Sequence, residues 1–355
     1  MAPELGIIEG FYGPPWSWDE RLRVVQTLAL HDYRFYLYAP KGDAFLRRRW
    51  NEPHPPEERA ALATFAQRCR AEGVRFGVGL SPFEIYRNFD ASARAALAEK
   101  LAALDAIGID ELALLFDDMH GASSDLARTQ AEIVDWAASR TRAAQITVCP
   151  SYYSDDAVLD RVFGARPPRY LEELGAALDP AVRVFWTGEE VCSREISPGH
   201  LARVSELLRR KPVLWDNYPV NDGERMSQHL HLRAFTGRPA ANAAHLTAHA
   251  INPALQPTLS LVPAITLRES YRLGPAYEYG RAFFNAACAV LGEDMATALR
   301  NDLLSLHDGG LQRLSAERHA ALRERYAAFD HPGAREIVRW LDGDYHVSSE
   351  VVRTQ

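Results

Sequence analysis

The run Leu114-Leu115-Phe116-Asp117-Asp118 sets two adjacent carboxylates at the end of an apolar segment. Withdrawing a carboxylate from water is costly unless something compensates. Two neighbouring carboxyls in different surroundings can hold different protonation states, one ionised and one carrying a proton. That division suits cleavage of a glycosidic bond, where one carboxyl protonates the departing oxygen. The plainer alternative is that one Asp caps the following helix and the other is solvated. Aromatic residues recur at comparable places: Tyr12, Trp16, Tyr153, Trp186, Trp215 and Tyr218. Aromatic faces pack on the C–H faces of a pyranose, and Asn, Asp and Lys side chains bind its hydroxyls. Such rings also serve as core filler. Lys41 and Asn252 each follow an apolar segment directly.

These residues need a frame that brings distant segments to one rim. Eight apolar segments read as strands: Leu5–Phe11, Arg34–Tyr38, Arg75–Leu80, Glu111–Phe116, Gln145–Cys149, Val182–Trp186, Pro212–Trp215 and His245–Ile251. Helical patterns lie between them, at Pro56–Glu72, Ala91–Ile107, Asp125–Ser139 and His200–Arg210. In the second of these, Leu97, Leu101, Leu104 and Ile107 form one apolar stripe, with Asp90 or Ser92 as cap and Gly108 as stop. The first turn, Glu9-Gly10-Phe11-Tyr12-Gly13, is too bulky to cradle a pyrophosphate, which disfavours an open dinucleotide-binding sheet. Eight βα units therefore predict an α/β fold, a (β/α)₈ TIM barrel whose strand ends converge on one face. Strand side chains alternate, so Asp117 and Asp118 can share that face only if the backbone turns there.

After about residue 270 the strand signals stop. Tyr277–Leu291, Met295–Leu306, Ala316–Phe329 and Ala334–Leu341 read as helices. The expected organisation is a barrel over residues 1–270 and a small C-terminal helical appendage over 271–355. The irregular segment from Gly223 to Ala241 is expected to form a loop over the site.

The 355 residues carry a net charge of −7, which argues against a nucleic-acid surface or an anionic membrane as partner. Arg47-Arg48-Arg49 is too short to reverse that and reads as a solvated face. No apolar run is long enough to span a bilayer. The four cysteines are scattered, with no CxxC pair, and suggest neither a disulfide framework nor zinc. The opening residues lack the basic and apolar regions of a secretory leader, so a reducing cytoplasm is expected. His245 and His249 are four apart on a strand-like segment without HExxH, so both read as structural. No metal and no cofactor are expected.

With these residues in place, the chain resembles the glycoside hydrolase family 84 catalytic domain, the β-N-acetylglucosaminidases that include protein O-GlcNAcases. The resemblance spans roughly Gly6 to Pro253. It rests on six segments in order: Gly6-Ile7-Ile8-Glu9-Gly10-Phe11-Tyr12-Gly13, Tyr36-Leu37-Tyr38-Ala39-Pro40-Lys41, Leu114-Leu115-Phe116-Asp117-Asp118, Cys149-Pro150, Trp186-Thr187-Gly188 and Leu214-Trp215-Asp216-Asn217. It implies a retaining exo-acting hydrolase of terminal β-linked GlcNAc, on a glycan or on Ser/Thr of a glycoprotein. The substrate's acetamide oxygen would be the nucleophile, through an oxazoline. Asp117 would orient the acetamide N–H, and Asp118, kept protonated near neutral pH, would serve as acid and then base. Gly10 and Lys41 would contact sugar hydroxyls. Asn217, Asp222 and Asn252 would bind hydroxyls or the acetamide. Tyr153 would bond near the oxazoline oxygen, Trp215 would wall the acetyl pocket, and Tyr12 would stand beside them. Pro14-Pro15, Gly42 and Ser151-Tyr152 depart from the family's usual pattern beside the sugar contacts, which bears on aglycone preference. An endo-acting hydrolase of an amino-sugar polymer and a catalytically silent GlcNAc-binding barrel are the alternatives. The sequence leaves the oligomeric state open.

Overall fold

A computed structural model describes residues 2–121 and 123–350. Its eight strands are β1 (Glu4–Glu9), β2 (Tyr33–Tyr38), β3 (Arg75–Leu80), β4 (Glu111–Leu115), β5 (Gln145–Cys149), β6 (Arg183–Trp186), β7 (Val213–Asp216) and β8 (Ala248–Ile251). They close into a parallel barrel in sequence order, β8 pairing back onto β1 with Gly6 opposite Ala250. Surrounding them are α1 (Trp18–Ala29), α2 (Pro56–Ala71), α3 (Ala91–Ile107), α4 (Leu126–Ala138), α5 (Ala157–Phe163), α6 (Tyr170–Ala177), α7 (Pro198–Leu208) and α8 (Pro257–Leu273). The (β/α)₈ TIM barrel read from the strand count is thus the observed fold.

Local chemistry sets the element ends. Ser17 and Glu20 form a reciprocal capping box at the start of α1. Asp90 accepts the Ala93 N–H at the start of α3, and Gly108 ends that helix in the left-handed region, both as expected. The strand predicted from His245 begins only at Ala248, because Ala240–His245 winds into a 3₁₀ helix first.

Four further helices follow: α9 (Tyr279–Leu291), α10 (Glu293–Leu303), α11 (Ala316–Ala327) and α12 (Pro332–Leu341). The expected helix to Leu306 stops at Leu303 and relaxes into a π turn over Leu304–Gly309. Helix α8 runs through residue 270 to Leu273, and residues 351–355 of the expected appendage lie outside the described residues. Two contacts tie α12 to the barrel side. The buried Glu336 accepts the Thr258 and Leu259 N–H groups, both at 2.9 Å, and so caps α8. The fully buried indole of Trp340 donates to the Ser227 carbonyl in the loop after β7. Among the described residues, no helix is long and apolar enough to cross a membrane.

Candidate active site

Strand β4 ends at Leu115, and Asp118 adopts a left-handed backbone with φ of 58°. Asp is among the few residue types that accept this conformation at modest cost. The turn breaks the strand alternation, so both carboxylates line one cavity of about 590 Å³ at the C-terminal strand ends. All ten residues expected there do so: Gly10, Tyr12, Lys41, Asp117, Asp118, Tyr153, Trp215, Asn217, Asp222 and Asn252.

The two carboxylates have unlike surroundings. Asp117 is buried, and one of its oxygens, Oδ2, bonds the ammonium of the equally buried Lys41. Its other oxygen, Oδ1, is buried and has no hydrogen-bond partner among the described residues. Asp118 accepts the Tyr12 hydroxyl on Oδ2 at 2.8 Å and the Tyr153 hydroxyl on Oδ1 at 3.0 Å. Lys41 Nζ lies 4.0 Å from Asp118 Oδ2. Burial works to raise the Asp118 pKa, but the charges of Lys41 and Arg47 and the two phenol bonds outweigh it, holding the carboxyl below its ordinary value. That direction runs against the expectation of an Asp118 kept protonated near neutral pH, because two cations face it. Burial and the nearby carboxylates push both phenols well above their usual range, so each remains a donor.

A second line of contacts joins the ends of β7, β8 and β1. Trp215 Nε1 and Asn252 Nδ2 each donate to Asn217 Oδ1 at 3.0 Å. Asn252 Oδ1 accepts the Gly10 N–H at 3.2 Å, and Asn217 Nδ2 donates to the Val191 carbonyl at 2.8 Å. Gly10 is required here, since a Cβ would lie 2.5 Å from Trp215 Cζ2. Asp222 accepts the Tyr12 N–H at 2.8 Å, yet burial pushes its pKa up to about 6.

Other aromatics divide between site and core. Trp186 is fully buried with its indole N–H on His200, and Trp16 bonds the Leu255 carbonyl, so neither lines the cavity. Tyr218 donates to the Arg233 carbonyl and lines a neighbouring hollow instead. Glu9 and Asp216, within the rim motifs, face away from the cavity. Glu9 pairs with Arg21 and Tyr36, and Asp216 pairs with Arg238 and His249. The structural reading of His249 is met by that pair and by its 2.9 Å contact with Tyr271.

The solvated-face reading of Arg47 is overturned. Arg47 is 5 % exposed, lines the cavity, and its Nη2 lies 3.5 Å from the Asp118 carbonyl. The Nε and Nη1 atoms have no hydrogen-bond partner among the described residues. Arg47 sits inward because the loop after β2 is pinned from α3, where buried Lys100 donates to the carbonyls of Phe45 and Glu52 at 2.6 and 2.9 Å. Buried Leu46 beside it was the available signal that this run is not simply a surface. Phe83, His120, Val191 and Cys192 also line the cavity without having been singled out.

Comparison with known proteins fits this geometry. The β-N-acetylglucosaminidase family pattern matches residues 5–303. Mouse and rat Protein O-GlcNAcase are each 30% identical over 276 residues, covering 75% of this chain and 30% of their own length. The match thus takes in less than a third of those relatives. A mutant O-GlcNAc hydrolase from Thermobaculum terrenum superposes with a TM-score of 0.79 at 28% identity, covering 96% of this chain and 80% of that one. The matched span takes in the whole barrel except Glu4, the first residue of β1, together with each of the ten cavity residues, and the chain belongs to the β-N-acetylglucosaminidase family.

Proposed function

We propose that this chain is a retaining exo-β-N-acetylglucosaminidase that removes terminal β-linked GlcNAc, including GlcNAc carried on Ser or Thr of proteins. The observation that carries the reading is the buried Asp117 Oδ1 beside Asp118, partnerless among the described residues. A buried acceptor without a donor is expensive, and an arriving acetamide N–H satisfies it. The amide oxygen, so oriented, attacks the anomeric carbon and the bond to the leaving oxygen breaks. Asp118 gives its proton to that oxygen, and an oxazolinium ion forms with its N–H still held by Asp117. Water then opens the ring as Asp118 takes a proton back.

The surroundings of Asp118 favour its ionised form, so it takes up its proton as substrate seats. The sugar excludes water and competes for the two phenol bonds, which strengthens burial and weakens what holds the carboxylate charged. Asp117, held by Lys41, stays available to stabilise the developing positive charge on the acetamide. Trp215, close-packed on Gly10, gives the acetyl group a wall. Lys41, Asn217, Asp222 and Asn252 supply polar groups for the hydroxyls, and Tyr153 reaches the oxazoline side. Four free cysteines are in keeping with a reducing cytoplasm.

Hydrolysis of 4-methylumbelliferyl β-N-acetylglucosaminide tests this, with the β-glucoside lacking the acetamide as control. Wild type turns over only the first, and Asp117→Asn lowers kcat by about 10²–10³-fold, as for loss of one electrostatic contact to the transition state. Equal turnover of the glucoside rules out acetamide participation. No turnover of either rules out the hydrolase.

A further inference from the structure

A second hollow of about 1100 Å³ adjoins the sugar cavity and shares Cys192, Asn217 and Gly223 with it. Its walls come from three stretches: the loop after β6, the loop after β7, and the π turn and α9 of the C-terminal helices. These walls are tied together. His229 Nδ1 bonds the His307 carbonyl at 2.8 Å, and His307 Nδ1 accepts the Leu232 N–H at 3.0 Å. Arg238 donates to the Ser193 carbonyl at 2.7 Å and to the Arg194 carbonyl, fixing the backbone on which Arg194 stands. The hollow is therefore formed before any ligand arrives.

Its charge is opposite to that of the molecule. The chain as a whole carries −7. In the hollow, Arg233 is paired with Asp308, and Arg238 with the buried Asp216. That leaves Arg194 and Arg225, both exposed and, among the described residues, without a hydrogen-bond or ion-pair partner for the guanidinium. The remaining carboxylate, Glu224, accepts the Ser349 hydroxyl at 2.8 Å and keeps its charge, so the two arginines outweigh it by one. His231 and His307 do not add charge, because burial lowers their pKa values to about 4 and about 3. A volume of about 1100 Å³ spans about 10 Å, room for about three extended residues.

We propose that this hollow is the aglycone subsite and that it selects an acidic peptide segment next to the glycosylated residue. The inference rests on the hydrolase reading above. With GlcNAc in the deep cavity, the chain bearing it passes Asn217 and Gly223, and carboxylates within about three residues meet Arg194 and Arg225. Exposed ion pairs are individually weak, so the gain is a several-fold preference that fades with salt.

The test uses three O-GlcNAc-serine peptides flanked by Glu, by Ala or by Lys, with wild type and the Arg194→Gln/Arg225→Gln variant. Circular dichroism confirms that the variant is folded. The readout is the ratio of kcat/KM for the Glu peptide over the Ala peptide. In wild type it is about three- to tenfold at low salt, with the Lys peptide poorest, and in the variant it falls to near one. A wild-type ratio near one, or a ratio that the double substitution leaves unmoved, overturns the inference. If no peptide and no aryl glycoside is hydrolysed, the proposed function has failed. The ratio of Kd values for the same peptides then decides the subsite question by the same criteria.

Discussion

Trp340, near the end of α12, donates its indole N–H to the backbone carbonyl of Ser227, 3.0 Å away and 113 positions earlier in the chain. The Ser227 hydroxyl in turn accepts the Val347 N–H at 3.3 Å. The C-terminal helices thus hold the loop that follows Asp222, and through it one side of the sugar cavity. Replacing Trp340 with Ala empties a fully buried site and removes that bond, a loss of about 3–5 kcal/mol. Urea denaturation followed by fluorescence measures this. The loop also loses its anchor, so KM rises more than kcat falls; an unchanged KM in the folded variant counts against the buttress.

Arg47 gives a prediction about pH. Its cationic charge favours the ionised form of Asp118. In Arg47→Met that term is gone, the Asp118 pKa rises, and the limb of the kcat/KM profile set by this acid moves to higher pH. Profiles measured on an alkyl glycoside, whose leaving group needs the proton, show the shift. An aryl glycoside shows less of it. A limb that stays in place removes Arg47 from the electrostatics of the site.

Gly10→Ala tests the sugar wall. The added methyl lies 2.5 Å from the Trp215 ring, so the indole must move or the backbone must yield. Overpacking of this kind costs about 1–3 kcal/mol. The variant is expected to fold and to lose about tenfold or more in kcat/KM, mostly in KM, as determined by steady-state kinetics.

Glu336 links stability to pH. Burial raises its pKa to about 7, against 4.5 for a freely solvated glutamate, even though two backbone N–H groups pull the other way. The folded state therefore keeps a proton that the unfolded chain releases. The resulting stability is fully present below about 4.5 and is lost as pH rises through about 7. Glu336→Gln keeps one acceptor, costs about 1 kcal/mol, and flattens the dependence between those pH values. Thermal melts across that range check the slope; a steeper slope in the variant contradicts the assignment.

Much of the fold was legible because the strands are short, apolar and separated by capped helices. Ala91–Ile107 carries its own start at Asp90 and stop at Gly108, and its bounds came out unchanged. The site was legible where a residue's place in a strand end fixes its direction, as for Trp215 and Asn252. Alternation also accounts for Asp216, the last residue of β7, which points away from its neighbour Trp215 into a buried pair with Arg238. Arg47 was misread because its position depends on Lys100, 53 positions away, gripping the loop from outside. The ionisation of Asp118 was misread for the same reason: the sequence shows the carboxylate and leaves open which cations will face it.

The contact between Gly10 and Asn252 joins residues 242 positions apart, across the seam where the last strand meets the first. Long-range pairings of this kind form late, because the loop entropy must be met before they gain anything. Asn252 also carries the bond to Asn217, so the sugar pocket cannot assemble on any shorter stretch of chain. Regain of glycosidase activity during refolding should therefore lag helix formation and mark the moment of barrel closure, making catalysis itself the clock for the slowest joint in the fold.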